Sequence, residues 1–359
     1  KKIMKVKKKI KNTHINKSLI TLSRFFLSSF ILICIFYTTP LFINFVEKNF
    51  HTKEFANNSK KILNNTINKN KIFEDDNEIV KNNEIDLLYD ILDENNSDID
   101  VVRYTTSEID ALFKKVNYNL ADVRDTKLVK PAYINLLPNE IKKIENTKKR
   151  KEMFIKIVLP LILKENNKIR LDRKRLFTII NKSKNTDIEK KWLEKKYKQY
   201  GIPSKDLSVL KIRMDEIPVS LAIAQAAKET GWGTSRFAQE GNALFGQWTW
   251  SGEGLKPKDA DKDQGHKVMR FNVLQASVRA YQRNLNTHSS YKDFRKARAR
   301  LRDLGKDLDS LILVQYLDEY AEIGDKYVEV LQKIIKQNNL KDFDDAKLLP
   351  SSIELESLI

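Results

Sequence analysis

From Phe25 to Val46 the chain carries no charged side chain, and most positions in between are Phe, Ile or Leu. Roughly 20 apolar residues are what a helix needs to cross the hydrocarbon layer of a bilayer. Immediately upstream, residues 1–24 hold nine basic side chains (Lys1, Lys2, Lys5, Lys7, Lys8, Lys9, Lys11, Lys17, Arg24) and no acid. Positive charge stays on the cytoplasmic side, so the N-terminus is expected inside and everything beyond residue 46 outside. After Tyr37 the sequence reads Thr38, Thr39, Pro40, Leu41, with no small-x-small cleavage site. The segment 25–46 is therefore read as an uncleaved signal anchor, ahead of a removable signal peptide or a buried soluble helix.

The net charge of the 359-residue chain is +18, and half of it sits in those first 24 residues, leaving +9 over the remainder. Such a remainder suits a protein working on an anionic polymer or near an anionic surface. No DNA- or RNA-reading motif accompanies it, so nucleic acid is not an expected partner. The single cysteine, Cys34, lies inside the apolar run. That excludes a disulfide framework, a thiolate metal site and a cysteine nucleophile from the outer part. His14, His51, His266 and His288 show no metal-ligand spacing, and neither a metal nor a cofactor is assigned.

Residues 47–104 are rich in Asn, Lys, Asp and Glu and contain neither Gly nor Pro. They read as a solvated tether with at most a short helix near Ile85–Leu92. Order is expected from Thr105, where Thr105-Thr106-Ser107-Glu108 has the capping-box pattern ahead of Ile109, Leu112, Phe113 and Val116. A helical region over 105–200 follows. Within it, Arg150 to Asn181 reads as a long amphipathic helix or helical pair kinked at Pro160, too interrupted by Lys156 and Lys164 to cross a membrane. A catalytic domain is placed at 201–349 and a short tail at 350–359.

The chemistry concentrates near Glu229. Pro218 suits a helix start, and Val219 to Thr230 continues with Leu221, Ala222, Ile223, Ala226 and Ala227 before Gly231 and Gly233 end the helix. A carboxylate in the last turn, at the negative end of the helix dipole and beside Trp232, is disfavoured in its charged form. Its pKa should rise, which suits an acid that protonates a leaving-group oxygen. Trp232, Phe245, Trp248 and Trp250 fall within 19 residues, interleaved with Asn242 and Gln247. Aromatic faces stack on sugar rings and amides read their substituents. Residues 251–267, with Gly252, Gly254 and Pro257, read as a turn-rich β-lobe offering Glu253, Asp259, Asp261 and Asp263. Ala276–Leu285 and Leu308–Tyr320 are expected to be helices, with Tyr281 and Tyr291 mainly packing and His288 structural.

The run Pro218-Val219-Ser220-Leu221-Ala222-Ile223-Ala224-Gln225-Ala226-Ala227-Lys228-Glu229-Thr230-Gly231-Trp232-Gly233, followed by Gly241-Asn242-Ala243-Leu244-Phe245-Gly246-Gln247-Trp248, resembles the bacterial Bax-type branch of the glucosaminidase (mannosyl-glycoprotein endo-β-N-acetylglucosaminidase-like) superfamily. The resemblance extends over roughly Ser107 to Leu349. It implies a mainly α, lysozyme-like α+β fold with a small β-lobe across a sugar cleft, and hydrolysis of β-1,4 bonds after N-acetylglucosamine in peptidoglycan. It also implies that Glu229 is the general acid, that Tyr320 belongs to the cleft tyrosine motif and that Tyr327 lies close by. In Tyr320-Ala321-Glu322-Ile323 the sequence departs from the common form, in which Thr and Asp follow Tyr-Ala. Gln225, Trp232, Asn242, Phe245, Gln247, Trp248 and Tyr327 are the expected substrate-binding residues. Glu253 is the expected partner carboxylate for an inverting route, while a substrate-assisted route would need only polarisation by a residue such as Tyr320. A non-catalytic glycan binder and a lytic transglycosylase are the competing functions. Peptidoglycan strands and the inner membrane are the expected partners, with the catalytic domain in the periplasm.

Overall fold

The computed structural model describes residue 91 and residues 101–249, 254–256, 267–317 and 324–350. The expected anchor at 25–46, nearly all of the tether and the tail from residue 351 lie outside them. Among the described residues, no helix is long and apolar enough to cross a membrane.

The first helix, α1 (Thr106–Lys115), begins as the sequence predicts. Thr105 caps it through its hydroxyl, and Glu108 reaches back to the Thr105 N–H at 2.7 Å. Ordered contacts reach further back than residue 105: Arg103 donates to the carbonyls of Leu137 and, at 3.2 Å, Gln239. Ile91, within the stretch read as tether, is fully buried against Met269, Phe271, Ala276 and Ala280.

After α2 (Leu120–Thr126) and the short strand β1 (Leu128–Val129) comes α3 (Thr147–Ile180), one continuous helix of 34 residues rather than a pair. Positions 153–163 of α3 are buried almost all round apart from Lys156, as a helix threaded through a core must be. Pro160 lacks the N–H that would bond the Lys156 carbonyl four residues earlier. The Tyr118 hydroxyl donates to that carbonyl at 3.2 Å instead, which supplies the missing donor without breaking the helix. Beyond Asn166 the helix runs on into a second cluster, where Leu176 and Ile179 pack with residues of α4 (Asp187–Gln199) and α5 (Leu207–Arg213).

The main core joins α1, α2 and the first half of α3 to α6 (Val219–Thr230), α8 (Leu274–Thr287), α9 (Lys292–Asp303) and α11 (Asp325–Gln337). The segments on either side of residue 200 therefore share one hydrophobic interior. Helix α7 (Arg236–Gly241) leads to a small antiparallel sheet of β2 (Trp248–Thr249), β3 (Gly254–Leu255) and β4 (Lys267–Met269), with β4 in the middle. The mainly helical architecture with a small β-lobe is thus as expected. The expected helix over Leu308–Tyr320 is replaced by a short α10 (Ser310–Leu313) and a 3-10 turn (Val314–Tyr316). Leu313, Val314, Tyr316 and Leu317 are all buried, a crowded pattern that one amphipathic helical face cannot satisfy. A last strand, β5 (Lys347–Leu348), pairs in parallel with β1.

Helix α6 is buried along nearly its whole length. Pro218 sits at its N-cap and has no side chain able to accept from the first turn. Asp344 fills that role from 124 residues away, accepting from the Ser220 N–H and hydroxyl, each at 2.8 Å. Burial pushes the Asp344 carboxyl up to about 6 despite these two bonds. Just upstream, Asn166 of α3 clamps Ile217 through both its carbonyl (2.8 Å) and its N–H (3.3 Å).

Tyr118→Phe should lower stability by roughly 1–2 kcal/mol in urea unfolding, because the Lys156 carbonyl loses the hydroxyl that stands in for the missing Pro160 N–H. Asp344 gives a pH signature. A carboxyl raised on folding stabilises the chain most below the unfolded value of about 4, and that contribution fades as pH rises through the folded value. Asp344→Asn should flatten the fall in melting temperature of the wild type as pH rises through about 6.

Candidate active site

Helix α6 ends abruptly after Glu229 and Thr230. Gly231, Trp232 and Gly233 follow with φ of +57°, +62° and +83°, three successive left-handed residues. A side chain at Gly233 would bring its Cβ to 3.0 Å from the Phe154 ring, so this turn requires glycine. Trp232 holds the same region at an expense of roughly 1–2 kcal/mol. Its ring is fixed edge-on to Phe154 (centroids 5.9 Å apart), and the Lys151 ammonium lies 4.8 Å from its centroid. The Thr230 hydroxyl ties the turn to the helix, donating to Ala226 and accepting from the Gly233 N–H.

Glu229 is half-buried at this end. Burial raises its carboxyl pKa, a rise partly opposed by the Tyr327 hydroxyl and by Lys228. Desolvation is therefore the main cause, ahead of any helix dipole. Tyr327, on α11, donates to Glu229 Oε1 at 3.0 Å. Behind it a buried chain continues: Gln225 Nε2 donates to the Tyr327 oxygen at 3.1 Å, and the Tyr281 hydroxyl donates to Gln225 Oε1 at 2.6 Å. Gln225 and Glu229 are four residues apart on one helix, so they share a face. Burial and the neighbouring Glu229 push the Tyr327 phenol far above its ordinary range, leaving it a permanent donor. On the other side of the carboxyl runs the loop after Ala243, where Gly246 adopts φ +61°. A Cβ at Gly246 would stand 3.5 Å from Glu229 Oε2.

The profile of the family described as mannosyl-glycoprotein endo-beta-N-acetylglucosaminidase (Glucosaminidase) matches residues 210–340, which contain Glu229, Gln225, Tyr281 and Tyr327. The protein Bax of Escherichia coli (strain K12) is 30% identical over 205 residues, covering 55% of this chain and 73% of that protein. The chain belongs to the Bax-type glucosaminidase family. It is accordingly a glycosidase-type protein. Among solved structures, the catalytic domain of the autolysin Auto from Listeria monocytogenes is 18% identical and covers 48% of this chain and 97% of that domain. The TM-score is 0.29, too slight a likeness to define a shared fold.

In this Bax-type chain the expected site residues are not all brought to one place. Glu229, Gln225 and Tyr327 are brought together, but Gln225 has no exposed surface and both ends of its amide are taken by tyrosines. Phe245 is likewise internal, stacked on Tyr281 with centroids 3.8 Å apart and planes within 6°. Asn242, at φ +51°, donates to the carbonyls of Phe271 (2.7 Å) and Asn272 (3.2 Å), fastening the loop to the segment before α8. Gln225, Asn242 and Phe245, expected to touch sugar directly, are instead buried in framework roles: both ends of the Gln225 amide, the Asn242 amide nitrogen and the Phe245 ring face are engaged inside the protein. Gln247 is also buried, and its Oε1 has no hydrogen-bond partner among the described residues. Trp248 on β2 is 53% exposed and Trp232 partly so. Glu253, Trp250 and Tyr320 lie outside the described residues.

Tyr281 is the member of the chain that periodicity assigned to packing. Its helical spacing marks it as core, and only the fold reveals that its hydroxyl meets Gln225. His288 is structural, accepting at Nδ1 from the Ser290 N–H at 3.2 Å. Because the Tyr327 hydroxyl lowers the Glu229 pKa, Tyr327→Phe should raise it further. Carboxyl-carbon NMR across a pH titration would read the shift; an unchanged or lower value would contradict the assigned bond.

Proposed function

We propose that the chain is a membrane-tethered peptidoglycan hydrolase that cleaves the β-1,4 bond after N-acetylglucosamine, with Glu229 as general acid. The observation that carries this reading is the directed hydrogen-bond chain ending at Glu229. Tyr281 donates to Gln225, whose amide donates to Tyr327, and the one phenolic proton of Tyr327 is therefore aimed at Glu229 Oε1. An oxygen that accepts this bond is the wrong one to carry the acid proton. The proton is placed on Oε2, on the side of the Gly246 loop. A carboxyl raised by burial keeps that proton to higher pH than an exposed glutamate would and delivers it to the departing glycosidic oxygen as the bond breaks. Charge left on the carboxylate is then stabilised by the same Tyr327 hydrogen bond.

Trp248 and Trp232 are assigned as sugar platforms, consistent with their exposure and with aromatic stacking on pyranose faces. The second group is either Glu253, activating water for inversion, or the substrate acetamido oxygen with polarisation by Tyr320. The lysozyme-like arrangement, with a cleft between helices and β-lobe, belongs to the same proposal. So does anchoring through residues 25–46, which would put the domain at the periplasmic face of the inner membrane.

The test is digestion of purified peptidoglycan by the wild-type chain and by Glu229→Gln, with products analysed by mass spectrometry. Fragments with reducing N-acetylglucosamine ends are expected, falling by roughly 10²- to 10⁴-fold in the variant, the range of a general acid. Anhydro ends would instead identify a transglycosylase. Binding to the polymer without any release would identify a scaffold protein.

A further inference from the structure

A third hydrophobic cluster stands apart from the main core and from the one at the far end of α3. Met269 at the end of β4, Phe271, and Ala276 and Ala280 on α8 form it together with Ile91, and none of the five is more than 6% exposed. Val273 packs against it. Among the buried members, Ile91 alone comes from outside residues 269–280. An apolar patch shared by β4 and the first half of α8 is thus closed by a side chain from the N-terminal part of the chain.

The sequence around Ile91 shows what comes with it. Ile91 is helical, and Leu87 and Leu88 precede it by four and three residues, so on a helix all three share one face. Asp86, Asp90 and Asp93 fall away from that face. This is the pattern of a helix with one buried and one solvated side. The path of the chain then favours this segment over a separate partner. Arg103 pins the chain beside the patch, donating to the Gln239 carbonyl of α7 at 3.2 Å, and Gly241 at the end of α7 accepts from the Phe271 N–H at 2.9 Å. Only residues 92–102 lie between Ile91 and Arg103. Over so short a link an attached segment competes at an effective concentration on the order of millimolar.

We propose that residues 85–92 are a docking helix of this chain, which seats Leu87, Leu88 and Ile91 on the patch of Met269, Phe271, Ala276 and Ala280 and so braces the small sheet. β4 is the central strand of that sheet, paired with β3 on one side and on the other with β2, which carries the exposed Trp248. The Met269 N–H also bonds the Gln247 carbonyl at 2.8 Å, next to Gly246 and its approach to Glu229. A clamp on Met269 and Phe271 therefore acts on the strand bearing Trp248 and on the loop beside the acid. The docking itself stands without the hydrolase reading. Anchoring through residues 25–46, which belongs to that reading, adds a consequence: docking cuts the free tether from residues 47–100 to residues 47–84, and with it the reach of the site from the membrane.

The test is hydrogen–deuterium exchange of the full chain in detergent, read by mass spectrometry and independent of any activity. In the wild type, amides of residues 87–91 are expected to exchange at least tenfold more slowly than free-chain rates. In Ile91→Asp that protection is lost, and the Met269 and Phe271 amides exchange at least tenfold faster while those of α6 are unchanged. The milder double variant Leu87→Ser/Leu88→Ser should give the same two losses, so a folding defect in Ile91→Asp does not decide the matter. Ile91→Leu and Asp86→Asn keep the wild-type pattern. Free-chain rates at residues 87–91 in the wild type, or unchanged exchange at Met269 and Phe271 in the double variant, would overturn the proposal. So would protection that fades as the protein is diluted, which would place the segment of a second copy on the patch.

Discussion

A helix buried along its length leaves its end groups no water to turn to, and α6 meets that constraint from far away in the sequence. Four N–H groups at a helix start need acceptors, and Pro218 offers no side-chain cap. Asp344 answers the need through Ser220, and the β1–β5 pairing holds the Asp344 segment in place. Asn166 clamps Ile217 one step upstream. The helix that carries Glu229 is therefore fixed by three elements that are remote in sequence, and the position of the carboxyl follows from theirs.

The same burial sets the electrostatics. Two carboxyls at opposite ends of α6, Asp344 and Glu229, are both raised by desolvation and both only partly relieved by hydrogen bonds. Asp215 shows the other outcome. Burial works to raise it as well, but Arg298, Arg302 and Arg173 together outweigh the effect and hold it below its ordinary value. Burial pulls Arg298 down to about 10, so it is still cationic at neutral pH. A buried acid surrounded by arginines is held below its ordinary value, whereas one whose only relief is a phenol and a neighbouring lysine stays above it.

What was legible in the sequence is what short-range chemistry determines. The Thr105–Glu108 capping box, the α6 boundaries and the Gly231–Gly233 stop are written in neighbouring residues, and the elements begin and end where those residues say. Compensations over long separations were not legible. Nothing near Pro160 points to Tyr118, and nothing near Pro218 points to Asp344. Aromatic and amide residues around Glu229 were readable as a sugar-site composition, but composition does not tell which way a side chain faces. Phe245, Asn242 and Gln225 turned inward because Tyr281, the Phe271 and Asn272 carbonyls and Tyr327 wait there. Leu308–Tyr320 has too many apolar positions for a single face, and its described part, up to Leu317, forms a short helix followed by a 3-10 turn.

The parallel pairing of β1 with β5 joins positions more than 200 residues apart, Leu128 to Lys347 and Val129 to Leu348. During vectorial synthesis neither this pairing nor the Asp344 cap can form until almost the last described residues have emerged. Contacts of such separation are slow to close and leave intermediates exposed meanwhile. The helix bearing Glu229 is thus incomplete for most of the time the chain is being made, and it acquires its final anchor only when the C-terminal segment arrives. An intact α6 is in that sense a report that the whole domain has been assembled.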